Sequence, residues 1–246
     1  MTANEIHSVC LPQAKEKVSI CLMDQEIAGT RVDCHVLRKS DTMRFSPCTT
    51  NVRILFVCSG KVTIQAGNVS LEFEGRGVFV GKVDQEVTVI SRQDAQILEL
   101  CRCLTPREFD CILTSEAFPY SLAYSEASKY TEDCKSPKTI SRMLVPQRII
   151  PRFAMGSVET YGKDLIEKHT HPMLEQFFFG LEENNCIALI DDLQYPFLGN
   201  MLLHIPLGSN HGVCLEEAHA CHYLWMDFLL NEEALAYMDE AHQIIP

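Results

Sequence analysis

The sequence predicts an all-β protein made of two barrels in tandem. Three observations predict it. Short apolar segments alternate with Gly- and Asn-bearing turns at the spacing of a barrel or sandwich. The grammar of the first half recurs in the second. Helical signals are confined to two short stretches, one between the halves and one at the C-terminus.

The elements follow in order. Residues 1–30 have weak periodicity and read as an arm packed on another part of the molecule. Val52–Cys58 is a buried-type strand, Ser59-Gly60 a turn, and Lys61–Ala66 an alternating strand. Gly67-Asn68 turns the chain again into Val69–Phe73, and strands at Val78–Val80, Val87–Ile90 and Ala95–Leu104 complete a barrel over 31–115. Thr105-Pro-Arg-Glu108 has the signature of a helix start: a capping Thr, Pro at the first position, Glu closing the box. Residues 116–144, rich in Ser, Tyr, Glu and Lys, read as a connector. A second barrel is expected over 145–230. The stretch 231–246 reads as a helix capped by Asn231 with Leu235 and Met238 on its apolar face.

The repeat aligns Phe177–Leu181 with Ile54–Cys58, and Cys186–Ile190 with the Val62 strand. Asp191-Asp192 aligns with Gly67-Asn68, and Met201–Ile205 with the Val78 strand. This is the pattern of an internal duplication.

Net charge is −12. A phosphate backbone would be repelled by such a surface, so nucleic acid is an unfavourable partner. No apolar run approaches the roughly 20 residues of a membrane-spanning helix. The best, Phe197–Leu207, is broken by Asn200, His204 and Pro206. The twelve cysteines are scattered through a chain large enough to need no staples, and the first residues lack a basic and an apolar region. A cytoplasmic protein with reduced thiols is expected. Cys101-x-Cys103, on an apolar strand with no second pair, reads as core packing.

The chemistry concentrates in the second half. His169-Thr-His171-Pro-Met-Leu-Glu175 is followed by Gly199 and by Pro206-Leu-Gly208-Ser-Asn-His211. On a strand, residues two apart share a face, so His169 and His171 are expected to point together, with Glu175 at the same parity if the chain stays extended. Three imidazoles and a carboxylate make a mixed N/O donor set, suited to Mn, Fe, Ni, Zn or Co rather than to Ca or Mg.

These residues resemble the two sequence motifs of the cupin family. The first reads G-x5-H-x-H-x3,4-E-x6-G. Here the H-x-H-x3-E core is intact, Gly162 stands one residue further upstream, and Gly180 comes early. The second reads G-x5-P-x-G-x2-H-x3-N. Gly199, Pro206, Gly208 and His211 match with one extra residue, and Leu215 stands for the Asn. The resemblance implies two double-stranded β-helix (jelly-roll) barrels, a bicupin, with metal ligands His169, His171, Glu175 and His211 in the C-terminal one. The first barrel offers Phe45–Asn51 and Asp84–Val87 where the ligands would stand, so it reads as degenerate, with His35 structural.

Parity from Glu175 places Phe177 and Phe179 in the pocket and turns Gln176 away. Arg152 is a candidate for holding a substrate carboxylate. His204, Tyr161 and Glu167 are candidates for proton transfer. The expected cofactor is one divalent transition metal, and the expected partner a small-molecule substrate or ligand, with a homodimer among the expected assemblies. The leading expectation is an enzyme using the metal as Lewis acid on a small hydroxy, keto or carboxylate metabolite, such as a sugar-type isomerase. Its alternatives are an Fe(II) dioxygenase and a non-catalytic sensing module.

Overall fold

A computed structural model of the chain describes residues 7–10, 16–231, 233–234 and 243–244. They fall into two compact units. One holds the described residues of Leu11–Glu126, the other those of Met1–Cys10 and Ala127–Pro246.

Strand β1 (Ser8–Cys10) belongs to the C-terminal unit. The N-terminal unit contains β2 (Val18–Asp24), β3 (Thr30–Leu37), β4 (Thr42–Phe45), β5 (Asn51–Ser59), β6 (Lys61–Ala66), β7 (Val69–Glu74), β8 (Gly77–Val80), β9 (Val87–Ser91), β10 (Ala95–Cys103) and β11 (Tyr120–Ala123). Helix α1 (Pro106–Thr114) stands between the last two, and its Thr105–Glu108 capping box forms as expected. The C-terminal unit adds β12 (Ser128–Thr131), β13 (Ile140–Ile150), β14 (Phe153–Tyr161), β15 (Asp164–His169), β16 (Leu174–Gly180), β17 (Asn185–Ile190), β18 (Leu193–Leu198), β19 (Met201–Ile205), β20 (His211–Leu215), β21 (Ala220–Leu229) and β22 (Gln243–Ile244).

The duplication is visible in the sheet order. One unit has sheets β11-β8-β5-β10-β3-β2 and β4-β9-β6-β7; the other has β1-β19-β16-β21-β14-β13-β12-β22 and β15-β20-β17-β18. Strand for strand, β8-β5-β10-β3-β2 corresponds to β19-β16-β21-β14-β13, and the smaller sheets correspond throughout. Each unit is therefore an antiparallel jelly-roll barrel. Its core is drawn from both of its sheets: Leu55, Val62, Phe79, Val89 and Ile97 in the first, Phe178, Phe197, Val213, Tyr223 and Trp225 in the second. The free edge of β8 is covered by β11, and that of β19 by β1, where His204 N donates to the His7 carbonyl at 3.0 Å.

Three expectations change. The 1–30 stretch is an arm only in part: β1 packs on β19, as an arm would, but β2 is a full edge strand of the first barrel. The 116–144 stretch is no plain connector: it carries β11, β12 and the start of β13, and the unit boundary falls inside it, at Glu126/Ala127. Its polar composition hid strands that present few side chains to a core. The helix expected over 231–246 lies largely outside the described residues. Asn231 Oδ1 does accept from Ala234 N at 3.1 Å, as a cap does, but Gln243–Ile244 is a strand paired with β12.

Pairing register shows what the first barrel lost. Phe45 pairs with Val87, Val87 with Ala66, and Ala66 with Val69; His169 pairs with His211, His211 with Ile190, and Ile190 with Leu193. Each member of the second set lies 124 residues after its counterpart, so Phe45 and Val87 occupy the places of His169 and His211. A self-sufficient polar network stands nearby. The Arg53 guanidinium lies over the Phe45 ring at 4.9 Å, and its Nε donates to Glu99 Oε1 at 2.6 Å. Glu99 Oε2 is 2.8 Å from His35 Nε2, whose Nδ1 is 2.8 Å from Ser19 Oγ. Burial alone would raise the Glu99 carboxyl, but the His35 and Arg53 hydrogen bonds hold it below its ordinary value.

Phe197 is fully buried between Phe178 and Tyr223 in the second core. Phe197→Ala is expected to destabilise that barrel by about 3–5 kcal/mol in urea denaturation.

Candidate metal centre

The centre is built where β15 meets β20. Ile166 pairs with Val213, and the next pair is His169 with His211, so β15 carries one extra residue as a bulge. Gly212 lies against it. A Cβ at Gly212 would stand 2.5 Å from the Ile166 carbonyl oxygen and 3.1 Å from Lys168 N. Only a residue without a side chain lets the bulged backbone come this close, and the bulge brings His169 opposite His211.

β15 ends at His169. His171 follows in a non-strand segment, and Pro172–Met173 form a turn before β16 begins at Leu174. His169, His171 and His211 come together, with candidate ligand atoms all within 4.8 Å of one another. Among the described residues this is the one group of three or more such side chains.

The imidazoles are prepared as donors. His169 Nδ1 bonds to the Glu167 carbonyl at 2.9 Å, and His211 Nδ1 to the Ser209 carbonyl at 3.0 Å. A carbonyl only accepts, so both Nδ1 atoms carry the proton and both Nε2 atoms keep a lone pair. His211 is 3% exposed, and its Nε2 is buried with no hydrogen-bond partner. Burial, reinforced by nearby His169, pushes its pKa down to about 4, so the ring is neutral at neutral pH. A buried lone pair with nothing to accept from is costly, and a metal ion satisfies it. Nitrogens about 2.1 Å from one ion are at most about 4.2 Å apart, so small ring movements suffice to close the set. The donors therefore fit a divalent transition metal.

The three rings line a cavity of about 30 Å³, space for one or two waters. Gln176, Phe178, Asp227, Lys135 and Glu132 also line it. Gln176 Nε2 donates to Asp227 Oδ1 at 2.8 Å, while Gln176 Oε1 is buried without a partner. Lys135 is in contact with Glu132 and donates to Ser141 Oγ at 3.0 Å. Burial lowers its pKa to about 7, against the pull of Asp227 in the other direction.

The remaining expected site residues lie elsewhere. Glu175 does not join the imidazoles, because the Pro172–Met173 turn breaks the extended parity; its Oε2 is 3.3 Å from His204 Nε2. Phe177 and Phe179 share that face: Phe177 packs on His204 and Phe228, and neither phenylalanine lines the cavity. The inward residues of β16 are Gln176 and Phe178, the opposite of the expected parity. His204 therefore faces Glu175 rather than the cavity. Tyr161 is 64% exposed, and Glu167 is exposed, contributing its backbone carbonyl to His169. Arg152 adopts a left-handed backbone, φ 54°, and its guanidinium donates to the Leu230 carbonyl.

Gln176 was legible in principle, since the longer H-x-H-x4 spacing of the family motif ends on it. Lys135, Glu132 and Asp227 carried no motif.

No family model matches the chain, and no curated protein matches it in sequence. Solved structures do. A cupin 2 conserved barrel domain protein from Leptotrichia buccalis superposes at TM-score 0.60 and 13% identity, covering 91% of this chain and 96% of the other. An iolb-like protein from Salmonella typhimurium LT2 gives 0.70 and 13%, covering 96% and 100%. The oxalate decarboxylase formate complex of Lactobacillus farciminis gives 0.72 and 8%, covering 94% and 88%. At these identities the likeness is one of fold: the chain has the two-barrel cupin fold. No helix among the described residues is long and apolar enough to cross a membrane.

Two outcomes follow from this geometry. Gly212→Ala forces Cβ against the β15 bulge and is expected to cost about 1–3 kcal/mol, measured by chemical denaturation. In metal-free protein, the unfolded chain binds the His211 proton near pH 6.5 and the folded chain only near 4. Stability present above pH 6.5 is thus lost as pH falls through 4, by an amount on the order of 3 kcal/mol. His211→Asn should flatten that part of the pH–stability curve.

Proposed function

We propose that the C-terminal barrel binds one divalent transition metal (Mn, Fe, Ni, Zn or Co) through His169, His171 and His211. We further propose that the protein is a metal-dependent enzyme acting on a small hydroxy, keto or carboxylate metabolite, with sugar-type isomerisation as the reaction class. The observation that carries this is the convergence of three imidazoles, His211 buried and held neutral, with the Nδ1 atoms of His169 and His211 committed to backbone carbonyls.

Three protein imidazoles leave coordination positions open, as catalytic metal sites do and closed structural ones do not. A bound divalent ion supplies Lewis-acid polarisation of a substrate oxygen. An aldose–ketose shift takes a proton from one carbon and returns it to its neighbour, so a group that exchanges protons near neutral pH is required. Lys135 meets that requirement: it lines the same cavity, and burial brings its ammonium to about 7. His204, Tyr161 and Glu167 do not line this cavity. The cavity's small volume restricts the substrate to few heavy atoms.

Elemental analysis of purified protein is expected to find one transition metal per chain, and His169→Ala or His211→Ala to abolish it with the circular dichroism spectrum retained. With small hydroxy-aldehydes and hydroxy-ketones in D2O, NMR is expected to show carbon-bound hydrogen exchange. Lys135→Met should slow that exchange at least 100-fold without loss of metal. Metal-dependent oxygen consumption with these substrates, and no exchange, would establish the dioxygenase in place of the isomerase.

A further inference from the structure

We infer that Gln176 supplies the fourth protein ligand through Oε1, making an all-neutral donor set whose ion attracts a small carboxylate anion. This rests on the proposed metal site and adds to it the ligand that controls its charge.

The argument begins with β16. Its side chains alternate, and it is Gln176 and Phe178, rather than Glu175, Phe177 and Phe179, that line the cavity with the three histidines. Gln176 is 5% exposed. Its amide is oriented by chemistry: Asp227, 2% exposed, is a carboxylate, so the Gln176 group facing it at 2.8 Å is the NH2. Oε1 is thereby left as an acceptor, buried and without a partner. An orphaned amide oxygen costs about 1–3 kcal/mol, and it shares a cavity with an equally orphaned His211 Nε2. One cation resolves both. The Asp227 bond does for the amide what the backbone carbonyls do for His169 and His211: it fixes the donor's orientation and increases electron density on the ligating atom.

The charge consequence is specific. With three imidazoles and an amide as donors, a divalent ion keeps its whole +2 charge. A glutamate there would leave +1. Asp227 and Lys135 both line the cavity with opposite formal charges, and Glu132 adds one negative charge. With the ion, and with Lys135 holding its proton, the cavity then carries a net +1, matched by a monoanion. A six-coordinate ion with four protein donors has two positions open, the number a 2-oxo or 2-hydroxy carboxylate fills with two oxygens. Glu175 is bonded to His204 on the other face of the strand and cannot neutralise this charge from within the cavity.

The test uses full-length protein stripped with chelator, titrated with Co(II), and followed by its visible absorption. Gln176→Leu is expected to weaken Co(II) binding at least 10-fold and to change the band shape. The pair Gln176→Glu/Asp227→Asn keeps the interresidue hydrogen bond while adding a charged donor. It is expected to bind Co(II) at least 10-fold more tightly, while the wild-type Co(II) form is expected to bind pyruvate at least 10-fold more tightly than the neutral pyruvamide; equal affinity for the two overturns the carboxylate preference. Thermal denaturation of each metal-free variant identifies any that does not fold, and the double variant reports independently of Gln176→Leu. Wild-type affinity and an unchanged spectrum in both, with His169→Ala unable to bind Co(II), overturns the Gln176 assignment and leaves the histidine site standing. Wild-type affinity in His169→Ala as well overturns both.

Discussion

The close approach of β15 and β20 at Gly212 governs the second barrel's chemistry. A single extra residue in β15 places His169 directly across from His211, and the absent side chain at position 212 makes room for it. From that pair the rest follows: His171 reaches the same space two residues on, the Ser209 and Glu167 carbonyls choose the tautomers, and burial keeps His211 neutral. A metal site needs deprotonated donors held in advance of the ion, and here backbone geometry holds two of the three.

The two barrels make an internal comparison. Their sheets share one strand order, and their smaller sheets share one pairing register. What differs is the polarity of a few inward positions. Phe45 and Val87 fill the first barrel where His169 and His211 stand in the second. There Arg53, Glu99 and His35 satisfy one another without an exogenous cation. One interior is closed on itself; the other retains buried acceptors, His211 Nε2 and Gln176 Oε1, that call for a ligand from outside. The same fold thus tolerates either outcome, which is why fold alone does not assign activity.

Much of the architecture was legible in the sequence, because alternation with Gly- and Asn-bearing turns marks β-hairpins directly. Strands β6 and β19 begin and end where the apolar pattern does. The edge strands β2, β4 and β11, and β12 next to its sheet's edge, were harder to see, since they bury fewer side chains and lack clean alternation, and the interior strand β3 was masked by its buried polar residues Thr30, Asp33 and His35. The histidines were legible from spacing. The fourth ligand position was not, because parity counting assumes an unbroken strand and Pro172–Met173 interrupts it. That one-residue slip exchanged Glu175, Phe177 and Phe179 for Gln176 and Phe178. Lys135 and Glu132 lie in a polar stretch whose role is set by tertiary placement alone.

The most direct measurement is X-ray absorption on the Co(II)-loaded protein. A shell of about 2.1 Å containing three imidazole nitrogens, recognised by the multiple scattering of their rings, is the predicted result. A shell of oxygen alone, or the same three-imidazole signal in His211→Ala, would contradict the proposed centre.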